Sequence, residues 1–270
     1  MPFIDRITNN MTPKRVYALC KLSYNRNLSK KEIKEYMQPQ ILNNNYNAID
    51  EVLRFSFSGG LIENKEDIIK CNLSASEIEK PNQFRYYIAN KALNDKNLIF
   101  TRFSSWYIAR GNKVYNDSPE TLIRDFDKEI NIKGEKNIYN KTNLVAWKTW
   151  ANFLGLGFEH NGVLIPNLSI RLKDIIENNN FEKNSNYVFT NFLNKVNQYA
   201  QEIDGGQIFE NNLGDSDKAD KNLSLALSNG LRILEEKSLI ELKSIPDTLD
   251  KWHLVRPQKD ISDIIIKDMI

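Results

Sequence analysis

The chain has 270 residues, of which 41% are hydrophobic and 27% charged, with a net charge of +2. That length can bury one large core or two to three small ones, while no apolar run approaches the ~20 residues that span a bilayer and the opening MPFIDRITNNMTPKR lacks an apolar signal-peptide stretch. With Cys20 and Cys71 as the two cysteines, a disulfide framework and a paired-cysteine zinc motif are excluded.

The expected setting is therefore the bacterial cytoplasm, without membrane contact. Asn-x-Ser/Thr triplets such as Asn72-Leu73-Ser74 are then chance products of an Asn-rich composition. The small net charge hides an asymmetry. Residues 1–73 carry 11 Lys/Arg against 8 Asp/Glu, residues 74–176 carry 15 against 11, and residues 177–270 carry 11 against 16. Positive charge favours a polyanion through counterion release, so a nucleic acid would sit on the first two-thirds. Plain solvated surface is the competing reading of the same charges.

Pro2 to Asn10 can form a short lead-in helix. Thr12-Pro13 is a helix start, a capping hydroxyl followed by proline at the first position, and Val16, Leu19, Cys20 and Leu22 give that helix an apolar face. Asn27-Leu28 suits a short strand. Ser29-Lys30-Lys31-Glu32 is a capping box opening a second helix, with Ile33, Tyr36 and Met37 inward and Pro39 as its stop. A third helix runs from about Asn44 to Ser58, burying Ala48, Ile49, Val52, Leu53 and Phe55. Gly59-Gly60 ends it, and Leu61-Ile62 and Ile68 to Cys71 flank the polar tip Asn64 to Asp67. Three helices and a hairpin within roughly 60 residues is the winged-helix order.

Phe84 to Leu93, Leu98 to Arg110 and Pro119 to Ile130 look helical, followed by a polar connection from Asn131 to Asn140. In Thr142 to Pro166, Val145, Ala146, Trp147, Trp150, Ala151, Phe153 and Leu154 recur at helical spacing. Gly155 and Gly157 end that helix, and two short apolar runs flank Asn161-Gly162, a strong hairpin signal. The result is a second winged-helix unit, or a helical linker domain with a hairpin attached. Leu168 to Ile176 is a further helix, and Glu177 to Asn186 the expected flexible boundary. Tyr187 to Ile203 is amphipathic, with Val188, Phe189, Phe192, Leu193, Val196, Tyr199 and Ala200 inward. After a polar connection from Gly205 to Asp220, Leu223, Leu227, Leu231 and Leu234 mark another helix. Leu239 to Leu242 and Trp252 to Val255 then form a candidate hairpin around Pro246 to Asp250. The predicted fold class is mainly α with short β-hairpins (α+β): tandem winged helix-turn-helix modules joined by helical segments, in units 1–73, 74–180 and 181–270.

Catalytic signals are weak. His160 and His253 are the two histidines, and neither lies in a metal-spaced cluster or beside a nucleophile. Ser58-Gly59-Gly60 and Gly155-x-Gly157 lack the P-loop lysine and do not open a helix after a strand. Pairs such as Glu235-Glu236 belong to solvated helices. The expectation is a protein without catalytic residues, metal or cofactor.

Binding signals are richer, because a winged helix lays its third helix in the major groove, where Asn, Arg and Lys reach base edges. On the first such helix Asn44, Asn45, Asn47 and Arg54 face outward, although Asp50 and Glu51 share that surface. Lys30, Lys31 and Lys34, with Lys14 and Arg15, suit phosphates. The second helix offers Lys141, Asn143, Lys148, Thr149 and Asn152 with no acid between its ends, and suits DNA better. The third offers Lys221, Asn222, Ser228, Asn229 and Arg232 within the acidic third. The residues selected for duplex DNA are Lys30, Lys31, Lys34, Asn45, Asn47, Arg54, Lys141, Asn143, Lys148 and Asn152. Trp106, Tyr107 and Phe57 either cover a partner surface or belong to the core.

The run Trp147 to Phe158, WKTWANFLGLGF, preceded by an N-terminal winged helix, resembles the DpdG-like proteins of bacterial DNA-modification and phage-defence islands. The resemblance rests on Trp150 to Gly157 and the module order, and covers the first two-thirds of the chain; the acidic third falls outside it. It implies an accessory component working beside ATPase, helicase or nuclease partners, and carries over no catalytic residue. Two further readings stay open. One is a purely protein-binding winged-helix subunit of a larger ATPase machine. The other is a dimeric transcription regulator, which needs a palindromic site.

Overall fold

Helix α1 (Pro13–Asn25) begins where its sequence places it. The Thr12 hydroxyl accepts the Arg15 N–H, and Pro13 occupies the first turn, where a missing N–H costs nothing. The computed structural model describes residues 3, 6–42, 45–129, 139–212 and 221–268. The chain is α+β, about half helical with small antiparallel sheets.

After α1 come β1 (Leu28–Ser29), α2 (Lys30–Met37), α3 (Asn47–Ser58), β2 (Ile62–Lys65) and β3 (Ile68–Cys71). The Ser29/Glu32 capping box forms as read, each partner satisfying the other's N–H. The sheet order is β1-β3-β2, with Leu28 opposite Ile69 and Ile62 opposite Cys71. Tyr36 departs from its inward assignment: it is 57% exposed, because Ile33 alone of α2 is fully buried.

The middle of the chain holds α4 (Ala75–Ile78), α5 (Pro81–Ala92), α6 (Ile99–Ala109), a 3-10 turn (Gly111–Tyr115), α7 (Pro119–Glu129) and α8 (Lys141–Phe153). Strands β4 (Gly157–His160) and β5 (Val163–Pro166) follow, with His160 opposite Val163. Asn161 and Gly162 both have positive φ, the backbone a two-residue hairpin turn demands. Gly155, at φ +78°, also permits a close approach by the chain that follows β5: a Cβ there would lie 2.8 Å from the Arg171 N. Trp106 and Tyr107 are core residues, each 2% exposed. Val145, assigned inward, is exposed instead.

No helix forms over residues 6–12. Instead Phe3 is buried, stacked on Phe100 at 4.0 Å and edge-on to Trp150 and Phe55. The carbonyls of Ile7 and Met11 accept from Asn143 Nδ2 (2.9 Å) and the Trp150 indole (2.6 Å). The segment instead lies against α8, to which it supplies two acceptor carbonyls. Residues 1, 2, 4 and 5, Asn44, most of the Asn131–Asn140 connection and residues 213–220 of the Gly205–Asp220 connection lie outside the described residues.

The last third contains α9 (Ser169–Asn178), β6 (Asn186–Val188), α10 (Phe189–Asn197), α11 (Gln207–Glu210), α12 (Leu225–Glu236), β7 (Ile240–Lys243), β8 (Trp252–Leu254), β9 (Lys259–Ile261) and β10 (Asp263–Ile266). Its three-stranded sheet, β6-β10-β7, repeats the order of the first: the strand before the second helix pairs with the last strand. Val188 is therefore a strand residue and 42% exposed, not part of the helix. The expected pairing of Leu239–Leu242 with Trp252–Val255 does not form. Strand β7 pairs with β10 and Trp252–Leu254 with β9, because Ile264 and Ile266 supply the buried face that β7 packs beside. The polar run after α9 is anchored: Asn179 accepts from the Tyr86 hydroxyl and Phe181 is buried.

Two ion pairs tie α9 to the rest. Arg85 on α5 grips Asp174 with two 2.6 Å bonds. Arg171, fully buried, donates to Glu202 at 2.9 Å, to the Tyr199 carbonyl and to Asn90. Arg171→Met should cost about 3–5 kcal/mol, since it strands the Glu202 carboxylate in the interior, and adding Glu202→Leu should restore much of the loss; urea denaturation of both variants measures it. Nearby, burial pushes Asp204 up to about 6, although it accepts from the Ser224 N–H and hydroxyl. Its folded pKa lies above its unfolded one, so its favourable contribution is complete below pH ~4 and lost as pH rises through ~6. Asp204→Asn should therefore gain on the order of 2–3 kcal/mol over the parent at pH 7.5 and nothing near pH 4; paired thermal melts across that range test it.

Candidate nucleic-acid interface

The outward side of α3 is shaped by what happens to its acids. Asp50 is held by Lys34 at 2.7 Å and approached by Lys30 at 3.6 Å. Glu51 turns toward the lead-in segment and accepts from Asn10 Nδ2 at 3.1 Å and from the Thr8 hydroxyl. Both carboxylates that compete with an anion on this surface are thus engaged within the protein. Arg54 and Asn47 remain exposed, and Arg54 has no carboxylate partner among the described residues. Asn45 serves the backbone instead: its side-chain oxygen accepts the Asn47 N–H, so it fixes the start of α3.

On α2, Lys31 is exposed and unpaired among the described residues. Lys34 is only 22% exposed and also lies 5.4 Å from the centre of the Tyr46 ring. The Tyr46 hydroxyl donates to Glu35 at 3.1 Å, and burial followed by that carboxylate pushes its pKa up. The Ser29 hydroxyl and N–H, in turn, hold the Glu32 carboxyl below the usual range. The exposed cations beside α3 therefore reduce to Lys30, Lys31 and Arg54, with Lys34 committed to Asp50.

Helix α8 does not present the face its sequence suggested. Lys141 pairs with Glu120 of α7, which holds the Glu120 carboxyl below its usual range. Lys148 is 16% exposed, donates to the Gly162 carbonyl at 2.6 Å and sits 3.6 Å from Glu159. Asn143 is not on the surface at all: it is 5% exposed, exchanging capping bonds with Asn140 and donating to Ile7. Asn152 alone of the four is exposed without a side-chain hydrogen bond or ion pair among the described residues. The neutralising acids come from α7 and β4, so an inspection of α8 by itself misses them.

The third candidate helix is closed. On α12, Ser228 is buried and accepts the Val255 N–H, Asn229 donates to the Pro166 carbonyl, and Arg232 donates to the carbonyls of Val255 and Pro257. Gly230 lets α12 pack directly on the start of α9, where a Cβ would meet the Ser169 N at 2.8 Å. Lys221 pairs with Asp250 at 2.7 Å. His253 pairs its backbone with Lys221 and Leu223 while its Nδ1–H donates to Asp260 at 2.8 Å, and His160 lies in the β4–β5 tip beside Asn161.

Lys21 and Arg26, absent from the residues selected on sequence, extend the unpaired cations of the first unit along α1. The signal was present: Lys14, Ala18, Lys21 and Asn25 follow one another at helical spacing and carry no large apolar residue.

No curated protein and no solved structure matches the chain. A family model described as DpdG-like matches residues 7–248, well into the acidic third that the sequence resemblance left out. The chain belongs to the DpdG-like family.

Proposed function

We propose that this protein is a non-catalytic subunit of a bacterial phage-defence or DNA-modification system, and that residues 13–71 form a winged helix-turn-helix which contacts duplex DNA. The family match supports the setting. The β1-β3-β2 sheet behind three helices supports the module. The observation that carries DNA contact is the outward face of α3, where Asn47 and Arg54 are exposed while Asp50 and Glu51 are engaged elsewhere. In this reading Arg54 and Asn47 reach the groove, and Lys30 and Lys31 at the start of α2 meet phosphates. The repeat of that module in the last third, with α12 covered, serves as a docking body for the rest of the chain. The middle hairpin unit links the two.

A purely protein-binding role has one specific observation in its favour. Ile41 and Leu42, in the turn after α2, are 92% and 79% exposed, and adjacent apolar side chains in water suit a protein partner.

Titrating the purified protein against a labelled random-sequence duplex at stepped salt separates these readings. The DNA reading expects a log–log salt slope of about −2 to −4, matching a few phosphate contacts. Arg54→Glu with Lys31→Glu should weaken binding by about tenfold or more, while Lys141→Glu with Lys148→Glu should change it less than about threefold. Absence of binding at low salt would sink the DNA reading and leave the exposed Ile41-Leu42 surface as the first place to look for a partner.

A further inference from the structure

Helices α1 and α2 border a shallow, open cleft of about 750 Å³, on a part of the first unit to which α3 contributes no lining residue. Lys14, Arg15, Lys21 and Arg26 border it, and no Asp or Glu does. Tyr17, Ala18, Leu22, Tyr36 and Met37 add apolar groups to its lining.

The four cations differ from many of those elsewhere among the described residues. Lys34, Arg85, Lys141, Lys148, Arg171 and Lys221 each have a carboxylate within 4 Å. Around the cleft the partners are neutral. Arg15 donates to the Asn10 carbonyl at 3.1 Å, and Lys21 to the Glu79 carbonyl at 3.1 Å. Arg26 lies 5.0 Å from the centre of the exposed Tyr36 ring, and Lys14 is exposed without an ion pair among the described residues. Four like charges with no carboxylate within 4 Å among the described residues repel one another, and an occupant bearing carboxylates would offset that repulsion.

The apolar floor decides which anion fits. A phosphodiester backbone offers nothing to bury against Leu22 and Met37. A peptide segment that alternates carboxylates with a large apolar side chain matches both features, with the apolar group on the floor and the acids on the rim. We propose that the α1–α2 cleft docks an acidic segment of a partner protein anchored by at least one large apolar side chain. Because α3 does not line the cleft, docking leaves Asn47 and Arg54 accessible, so the two surfaces work independently.

The test uses the full chain and a short fluorescein-labelled peptide in which Asp/Glu pairs alternate with Leu and Phe. Anisotropy should report saturable binding that weakens with salt. Replacing the peptide's Leu and Phe by Gly should weaken it by about tenfold or more, as should Lys14→Glu with Arg26→Glu in the protein. Both side chains lie outside the core, so unchanged thermal melting should accompany that loss. Tyr36→Ala with Met37→Ala should lower affinity for the apolar-containing peptide and leave the weak binding of the Gly version unchanged. Arg54→Glu should leave peptide binding within about twofold. The proposal is overturned if the parent protein does not bind the peptide, or if the Gly version binds equally well. It is also overturned if the Lys14/Arg26 variant loses duplex affinity while peptide binding persists, which would make the cleft a phosphate contact.

Discussion

Two buried indole N–H groups on α8 set the terms for much of this molecule. Trp147 donates to the Ser104 hydroxyl on α6 at 2.9 Å, and Trp150 donates to the Met11 carbonyl. An indole buried without an acceptor loses a hydrogen bond and keeps its desolvation cost. The two bonds therefore fix α8 between the middle helices and the segment that leads into α1. Phe3, Phe55 and Phe100 close around Trp150 from that side, and Phe103, Tyr107 and Tyr139 build the cluster around Trp147. The first three-helix unit is thus held against the middle of the chain by side chains distant in sequence.

A comparable constraint operates at the other end. Arg171 and Asp174 lie one helical turn apart on α9, and each reaches a partner of opposite charge on a different part of the chain. Charges removed from water demand full pairing, so α9 has little freedom of position. At the start of α9, Ser169 and the preceding Leu168 meet α12 at Gly230. That contact covers the helix which, in the first unit, stands open. Two units with the same strand order therefore expose different surfaces, and topology alone does not predict which helix is available to a ligand.

The distribution of paired cations follows from the same packing. Across α7, α8 and β4, folding brings Glu120 and Glu159 to the lysines of α8, so a helix with no acid of its own loses its positive face. In the α1–α2 cleft, Lys14, Arg15, Lys21 and Arg26 have no ion pair among the described residues. Net charge per segment, +4 for the middle against +3 for the first unit, therefore does not say which cations an approaching anion meets unpaired.

The local elements and their punctuation were legible in the amino-acid order alone. Thr12-Pro13, Ser29/Glu32 and Asn161-Gly162 act over two to four residues, a range in which backbone sterics and nearby hydrogen bonds suffice. The apolar spacing of Val52, Leu53, Trp147 and Trp150 marked their buried faces for the same reason, and the Trp150–Gly157 run carried the family resemblance. Tertiary packing settled whatever depends on distant partners. It placed the lead-in segment as an acceptor strip for α8, paired β7 with β10, internalised Asn143, neutralised Lys141 and Lys148, and covered α12. Each of those outcomes rests on a hydrogen bond, a charge or a contact supplied from elsewhere in the chain, and periodicity within one element does not encode where that partner will lie.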